Sequence, residues 1–199
     1  MTEIKLFNKW DTSGVSVADS GLRGYVNLQP ILVPKTGGRN IKVRFHKSKN
    51  HIVERLINKV MVPGHKGKKH HLSSGHNTGK AQNAYNIVKE ALEIIEKKLG
   101  KNPVEVFVKA LENAAPREEI TTIEYGGAKY PQAVDIAPQR RVDIALRQFV
   151  YGTYNKSFNG KKKAAECLAD EIMYAYNSDQ KSQAISKKLE LERQADSSR

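Results

Sequence analysis

The sequence of 199 residues has one cysteine, Cys167, and one tryptophan. A single thiol excludes an intramolecular disulfide and any multi-cysteine zinc site within one chain. Aromatic residues make up 7% and the hydrophobic set 39%, which is low for a globular chain. No apolar run approaches the roughly 18 residues that span a bilayer, so no membrane segment is expected. Asp11 and several polar side chains break any basic-then-apolar leader pattern near the start. These absences predict an intracellular, cytoplasmic chain. The last shortage is local: between residues 35 and 80 the one carboxylate is Glu54.

The same stretch holds 12 basic residues (Lys35, Arg39, Lys42, Arg44, Lys47, Lys49, Arg55, Lys59, Lys66, Lys68, Lys69 and Lys80) and all six histidines. Residues 137–163 carry 7 basic residues against Asp143 alone. Elsewhere the signs nearly balance, so the formal net charge of +13 resides in two segments. Solvated surface runs ordinarily mix their signs. An excess this one-sided is the footprint of a surface for a polyanion, and a nucleic acid is the obvious one.

Apolar spacing predicts a mainly α fold, a bundle of about six helices with one protruding β-hairpin and a basic N-terminal arm. Residues 1–50 read as an N-terminal extension and basic arm, and 51–199 as a helical RNA-binding domain. Ile4–Phe7 and Tyr25–Leu28 read as either short strands or extended arm. The first helix follows Asn50 as cap, with Ile52, Val53, Leu56, Ile57 and Val60 on one face, and ends before Pro63. In the second, Thr78 is the expected cap, Ala84, Val88, Leu92 and Ile95 lie on the stripe, and Gly100 sits just past the end. Asn102 and Pro103 open the third. At Ile120–Tyr125 the content turns β-branched and aromatic, and Gly126-Gly127 marks a turn within a hairpin at about 120–136. Pro131, which has no N–H to donate, is expected to limit the return strand. Pro138 opens a fourth helix with Val142, Leu146 and Phe149 inward, and Gln139, Arg140, Arg141 and Arg147 outward. A fifth, about 161–177, places Cys167 as a small core residue. A sixth, about 182–195, is so poor in apolar residues that it is expected to rest on a partner or fray.

Motifs of chemistry are weak by comparison. Gly75–Ala81 has three residues between its glycines and Ala81 where a phosphate-binding P-loop needs Ser or Thr, so nucleotide hydrolysis is not expected. His65, His70, His71 and His76 raise a metal-dependent nuclease as the alternative from another class, although the stretch lacks cysteine ligands and helical ligand spacing. No carboxylate pair stands near a nucleophile, so neither an enzyme nor a cofactor is expected. The hairpin has another character. Tyr125, Gly126, Gly127, Lys129 and Tyr130 place aromatics, a cation and bare backbone at a tip, a combination suited to stacking on unpaired bases.

The run Gly126-Gly127-Ala128-Lys129-Tyr130-Pro131-Gln132-Ala133-Val134-Asp135-Ile136-Ala137-Pro138-Gln139-Arg140-Arg141, preceded by Ala110–Arg117, resembles ribosomal protein seven of the small subunit. Ile4–Trp10, Ile52–Leu56, Ala165–Ile172 and Leu189–Arg193 are similar to its archaeal and eukaryotic branch. The resemblance implies a ribosomal protein that binds the 3′ major domain of small-subunit ribosomal RNA and organises the subunit head. It also implies a hairpin near exit-site transfer RNA and messenger RNA, and neighbouring head and platform proteins as partners. Charge and resemblance together give an expected ribosomal-RNA contact set of Arg39, Lys42, Arg44, Lys47, Lys49, Lys66, Lys68, Lys69, Lys80, Arg117, Arg140, Arg141, Lys156 and Lys161. Bacterial members have a much shorter loop between the first two helices, so contacts of Lys66–Lys80 rest on charge alone. A free regulatory RNA-binding protein is a further alternative with the same surface.

Overall fold

A computed structural model describes residues 4–37, 42–62 and 75–199. Within them run α1 (Ile52–Val60), α2 (Ala81–Leu99), α3 (Pro103–Ala114), β1 (Glu118–Tyr125), β2 (Ala128–Asp135), α4 (Pro138–Ser157), α5 (Ala164–Tyr176) and α6 (Gln183–Asp196). Short 3-10 turns lie at Arg23–Tyr25 and His46–Lys49. The fold is mainly helical, with six helices and one antiparallel two-stranded hairpin among the described residues.

The alanines of α5 let it sit close against α2, α3 and α4, with Leu168 and Ile172 fully buried between them. Phe107 of α3 and Phe149 of α4 meet in the same core with ring centroids 6.4 Å apart. Valines and alanines are buried nearly all round α3, and it touches α2, α4, α5 and α6, as a helix apolar on every face must. Cys167 is buried, and burial raises its thiol pKa, which removes the thiolate a nucleophile needs.

Neither Ile4–Phe7 nor Tyr25–Leu28 forms a strand. Residues 4–37 instead lie along the bundle, burying Leu6, Phe7, Trp10, Val17, Leu22 and Val26 in the common core. Side chains of α3 and its cap take the place of a ladder. Glu112 Oε1 accepts from the amides of Ala18 (2.5 Å) and Asp19 (3.2 Å), and Asn102 Nδ2 donates to the Asp11 carbonyl (2.7 Å).

Helix ends follow their capping chemistry with two shifts. His51, not Asn50, caps α1, its Nδ1 accepting from Val53 N at 3.2 Å. Thr78 lies in a turn before α2 that closes the end of α1 instead. Asn77 Nδ2 donates to the Val60 carbonyl (2.9 Å) and Gly79 N to that of Met61 (3.2 Å), satisfying carbonyls that a helix end leaves bare. Asn102 caps α3 as expected, accepting from Val104 N.

The hairpin runs beyond the limit expected from Pro131. Glu118–Tyr125 pairs throughout with Ala128–Asp135, with Thr122 opposite Pro131. Gly126 and Gly127 have φ of 59° and 83°, the doubly left-handed turn that matches strand twist. Counting from the closing pair Tyr125–Ala128, Pro131 falls at a non-hydrogen-bonded position, where the missing N–H would have faced outward. The sixth helix neither frays nor waits for a partner: Ala184, Ile185 and Ala195 are buried, and α6 packs on α4 and the root of the hairpin.

Candidate nucleic-acid interface

The two basic segments meet around Asp143, the one carboxylate of the second. Lys47, 96 residues away in sequence, donates to Asp143 Oδ2. Arg55 donates to its Oδ1 at 3.2 Å and to the Tyr25 carbonyl at 2.9 Å. The Ser48 hydroxyl bonds Gln139 Oε1, fastening the 3-10 turn to the start of α4. Burial opposes ionisation of Asp143, but Lys47, Arg55 and Lys59 outweigh it and hold the carboxyl below its usual range. Burial pushes the Lys59 ammonium down; Asp143 pulls the other way, while Arg147, Lys47 and Arg55 add repulsion. Three cations thus crowd one carboxylate, with Arg147 close enough to Lys59 to repel it, and the local excess of positive charge is a standing attraction for phosphate.

Around this cluster the first segment presents charge without neutralisation. Lys42, Arg44, Lys49 and Lys80 are exposed and ion-paired with no carboxylate of the described residues; the Arg44 guanidinium lies 4.8 Å over the Phe45 ring. Arg39, Lys66, Lys68 and Lys69, with His65, His70 and His71, lie outside the described residues.

The second segment differs more from expectation. Arg141 and Gln139 do not face outward: they are 9% and 7% exposed. Arg141 donates to Asp19 Oδ2 at 2.8 Å and to the Pro116 carbonyl at 3.0 Å, tying the N-terminal segment to the α3–β1 junction. Arg140 is exposed but grips Glu119 at 2.6 and 2.7 Å, bracing the hairpin root. The exposed Lys156 spans to buried Glu171 at 2.6 Å, whereas Lys161 and Arg117 are exposed with no carboxylate of the described residues in ion-pair range. Sequence reasoning left Lys59 and Arg147 out of the contact set. The available signal was Arg147 one helical turn from Asp143.

The ribbon is a second, separate feature. Only its root is half-buried, Glu118–Ile120 of β1 and Ala133 and Val134 of β2, so about five residue pairs, roughly 17 Å, stand clear of the bundle. Tyr125 is 82% exposed and Tyr130 59%. Ile123 and Tyr125 share a face with Tyr130 and Ala128 across the ladder, so the exposed aromatics stand together, with Lys129 on the opposite face.

A helical bundle with exposed cations that no carboxylate of the described residues answers, and a bare aromatic ribbon, is the form of a nucleic-acid-binding scaffold. The family model for Ribosomal protein S7p/S5e matches residues 32–199, and the chain belongs to that family. It is 55% identical over 197 residues to small ribosomal subunit protein uS7 of Nanoarchaeum equitans, covering 99% of this chain and 100% of the relative. Identity to the uS7 proteins of Methanococcus aeolicus and Archaeoglobus fulgidus is 52% over 198 residues and 50% over 197, covering 99% of this chain and 100% and 96% of those relatives. The chain is accordingly an archaeal-type ribosomal protein with a structural role, not an enzyme. No helix among the described residues is long and apolar enough to cross a membrane.

Proposed function

We propose that this chain binds the 3′ major domain of small-subunit ribosomal RNA and organises the head of the subunit during assembly. Its hairpin then lies near exit-site transfer RNA and messenger RNA, beside neighbouring head and platform proteins. The observation that carries this reading is the convergence at Asp143: segments that are separately basic in sequence meet there, with Lys47, Arg55 and Lys59 around a single acid and Arg147 beside Lys59. Unbalanced charge on a rigid helical frame fixes the register of an RNA backbone and needs no chemistry. The aromatic ribbon adds a stacking surface for unpaired bases at a distance from that frame. Of the expected contacts, Arg141 acts within the fold, and Lys59 and Arg147 join the surface. Residues 51–199 form the RNA-binding part in this reading, with 1–50 as its extension.

The test is binding of the purified chain to a 3′ major-domain RNA fragment over a range of salt, with co-sedimentation on small subunits. Lys66, Lys68 and Lys69→Ala together should flatten the slope of log K against log salt by about 2, at roughly 0.7–0.9 per lost phosphate contact. An unchanged slope removes that loop from the RNA surface. A chain that binds the fragment but never sediments with subunits is a free RNA-binding protein instead.

A further inference from the structure

Beside the 3-10 turn His46–Lys49 the structure has a cavity of about 880 Å³ whose walls are mostly apolar. Two of its walls are fixed: Ile57 is buried in α1, and Tyr85 of α2 leans on Phe7 with ring centroids 4.9 Å apart. Its mouth is open among the described residues. Val33, Val43 and Phe45 line it and are 47%, 59% and 59% exposed. Phe45 has a φ of 61°, a left-handed conformation that a bulky side chain rarely adopts and that clusters at functional sites. Large apolar side chains left in water around one hollow mark a site for a partner.

Three facts choose the occupant. The rim is cationic: Lys35 and Lys47 line the cavity, and the Arg44 guanidinium lies 4.8 Å over the Phe45 ring. Neither Lys35 nor Arg44 is ion-paired with a carboxylate of the described residues, and a guanidinium fork suits a carboxylate. Second, the interior offers little to a polar ligand. The acid in the lining, Glu54, is shut beneath it, 3% exposed, with Oε1 accepting from the Thr36 amide (2.8 Å) and Oε2 buried. Nδ1 of His46 is buried as well. A nucleobase, polar along its edges, can bond neither atom, whereas an apolar side chain needs no such bond. Third, the exposed amides of Asn58 and Gln82 stand in the lining, and they can bond a peptide main chain. The chain's own residues 63–74 have the wrong chemistry, with three lysines, three histidines and one leucine, and the rim repels such a segment. We propose that the chain, while free of RNA, holds an acidic amphipathic segment of another protein here, with an apolar side chain in the cavity and carboxylates on Lys35 and Arg44. Arg44 belongs to the expected RNA contact set, as do Lys42, Lys47 and Lys49 near it in sequence, so ribosomal RNA displaces the segment. That displacement rests on the RNA-binding reading above.

The full chain is titrated by fluorescence anisotropy with a labelled decapeptide, Leu-Leu-Phe-Leu between two runs of three glutamates. One control peptide has four serines at its centre, and the other has glutamine for every glutamate. Each control is expected to bind about 10-fold more weakly, since anchor and charge both contribute. Val43→Ser with Phe45→Ser, at exposed positions, should weaken the parent peptide about 10-fold. Helical circular dichroism should be unchanged, and affinity for the 3′ major-domain fragment should stay within about 2-fold. Saturating fragment should release the peptide. Equal binding of either control, an unaffected double variant, or peptide that stays bound under saturating fragment overturns the proposal. So does a loss of about 10-fold in fragment affinity in the double variant, which makes an RNA base the occupant. Peptide binding that rises about 10-fold when residues 63–74 are replaced by a Gly-Ser linker overturns it too, by making the chain's own segment the occupant. A chain that takes the peptide but not the fragment leaves the cavity site standing and strikes the RNA-binding reading itself.

Discussion

His51 is buried at the start of α1, with Nδ1 accepting the Val53 amide and Nε2 without a partner among the described residues. Burial pushes its pKa down to about 4 from the model-peptide value of 6.5. Below pH 6.5 the unfolded chain takes up a proton that the folded chain refuses, so stability falls as pH drops from 6.5 toward 4, by roughly 3 kcal/mol in all. Urea unfolding at about pH 7 and 4.5 should show this loss, and His51→Asn, which keeps a cap acceptor but cannot titrate, should shrink it. Glu171 is the second residue of this kind. Fully buried, it accepts from Lys156 (2.6 Å), the Ser182 hydroxyl (2.8 Å) and the Ala184 amide (3.3 Å), fastening α4, α5 and α6 together. A Cβ at Gly152 would stand 2.6 Å from its carboxyl carbon. Gly152→Ala must therefore displace the buried acid from its donors and should lose about 3 kcal/mol in chemical denaturation. A loss below about 1 kcal/mol would mean that the acid shifts freely.

At the scale of elements, the hairpin is two structures in one. Its root is held by Arg140–Glu119, by Arg199–Glu118 and by α6; its distal half touches nothing in the bundle that would bury it. Trimming residues 125–130 should leave thermal stability of the free protein within about 2 °C, because almost no apolar area is lost from the core. Assembled subunits should still form, with altered exit-site transfer RNA or messenger behaviour. Failure of the subunits to form at all would give the tip an assembly role. The turn was legible in sequence because two adjacent glycines serve one local geometry. Continuation of β2 through Pro131 was not, since it depends on which residues lie opposite each other. The packing of α6 was hidden for a related reason: it buries only a few small apolar residues and gains the rest through polar bonds such as Lys188 to the Asn113 carbonyl (2.9 Å) and Glu192 to the Arg117 amide (3.1 Å).

Over the whole molecule, the useful division is between cations already answered by carboxylates and those left over. Lys49, Lys80 and Arg147→Ala together should lower the salt slope of RNA binding by about 2 to 3. Lys9 and Lys98→Ala, which break surface pairs with Glu93 and Asp170, should leave it unchanged; equal slopes for the two sets would mean that ion pairing in the free protein does not govern contact with RNA. The sequence by itself determined the helical class, most helix limits, the hairpin turn and the polyanionic nature of the partner. Periodicity, capping and regional charge are properties of neighbouring residues, and neighbours are what a sequence shows. Only the tertiary structure decided that Arg141 turns inward to Asp19, that two basic segments close around Asp143, and that Glu54 is buried with one oxygen bonded to Thr36. Each depends on groups brought together from distant parts of the chain, and whether a charge is spent or free is settled by its surroundings in space.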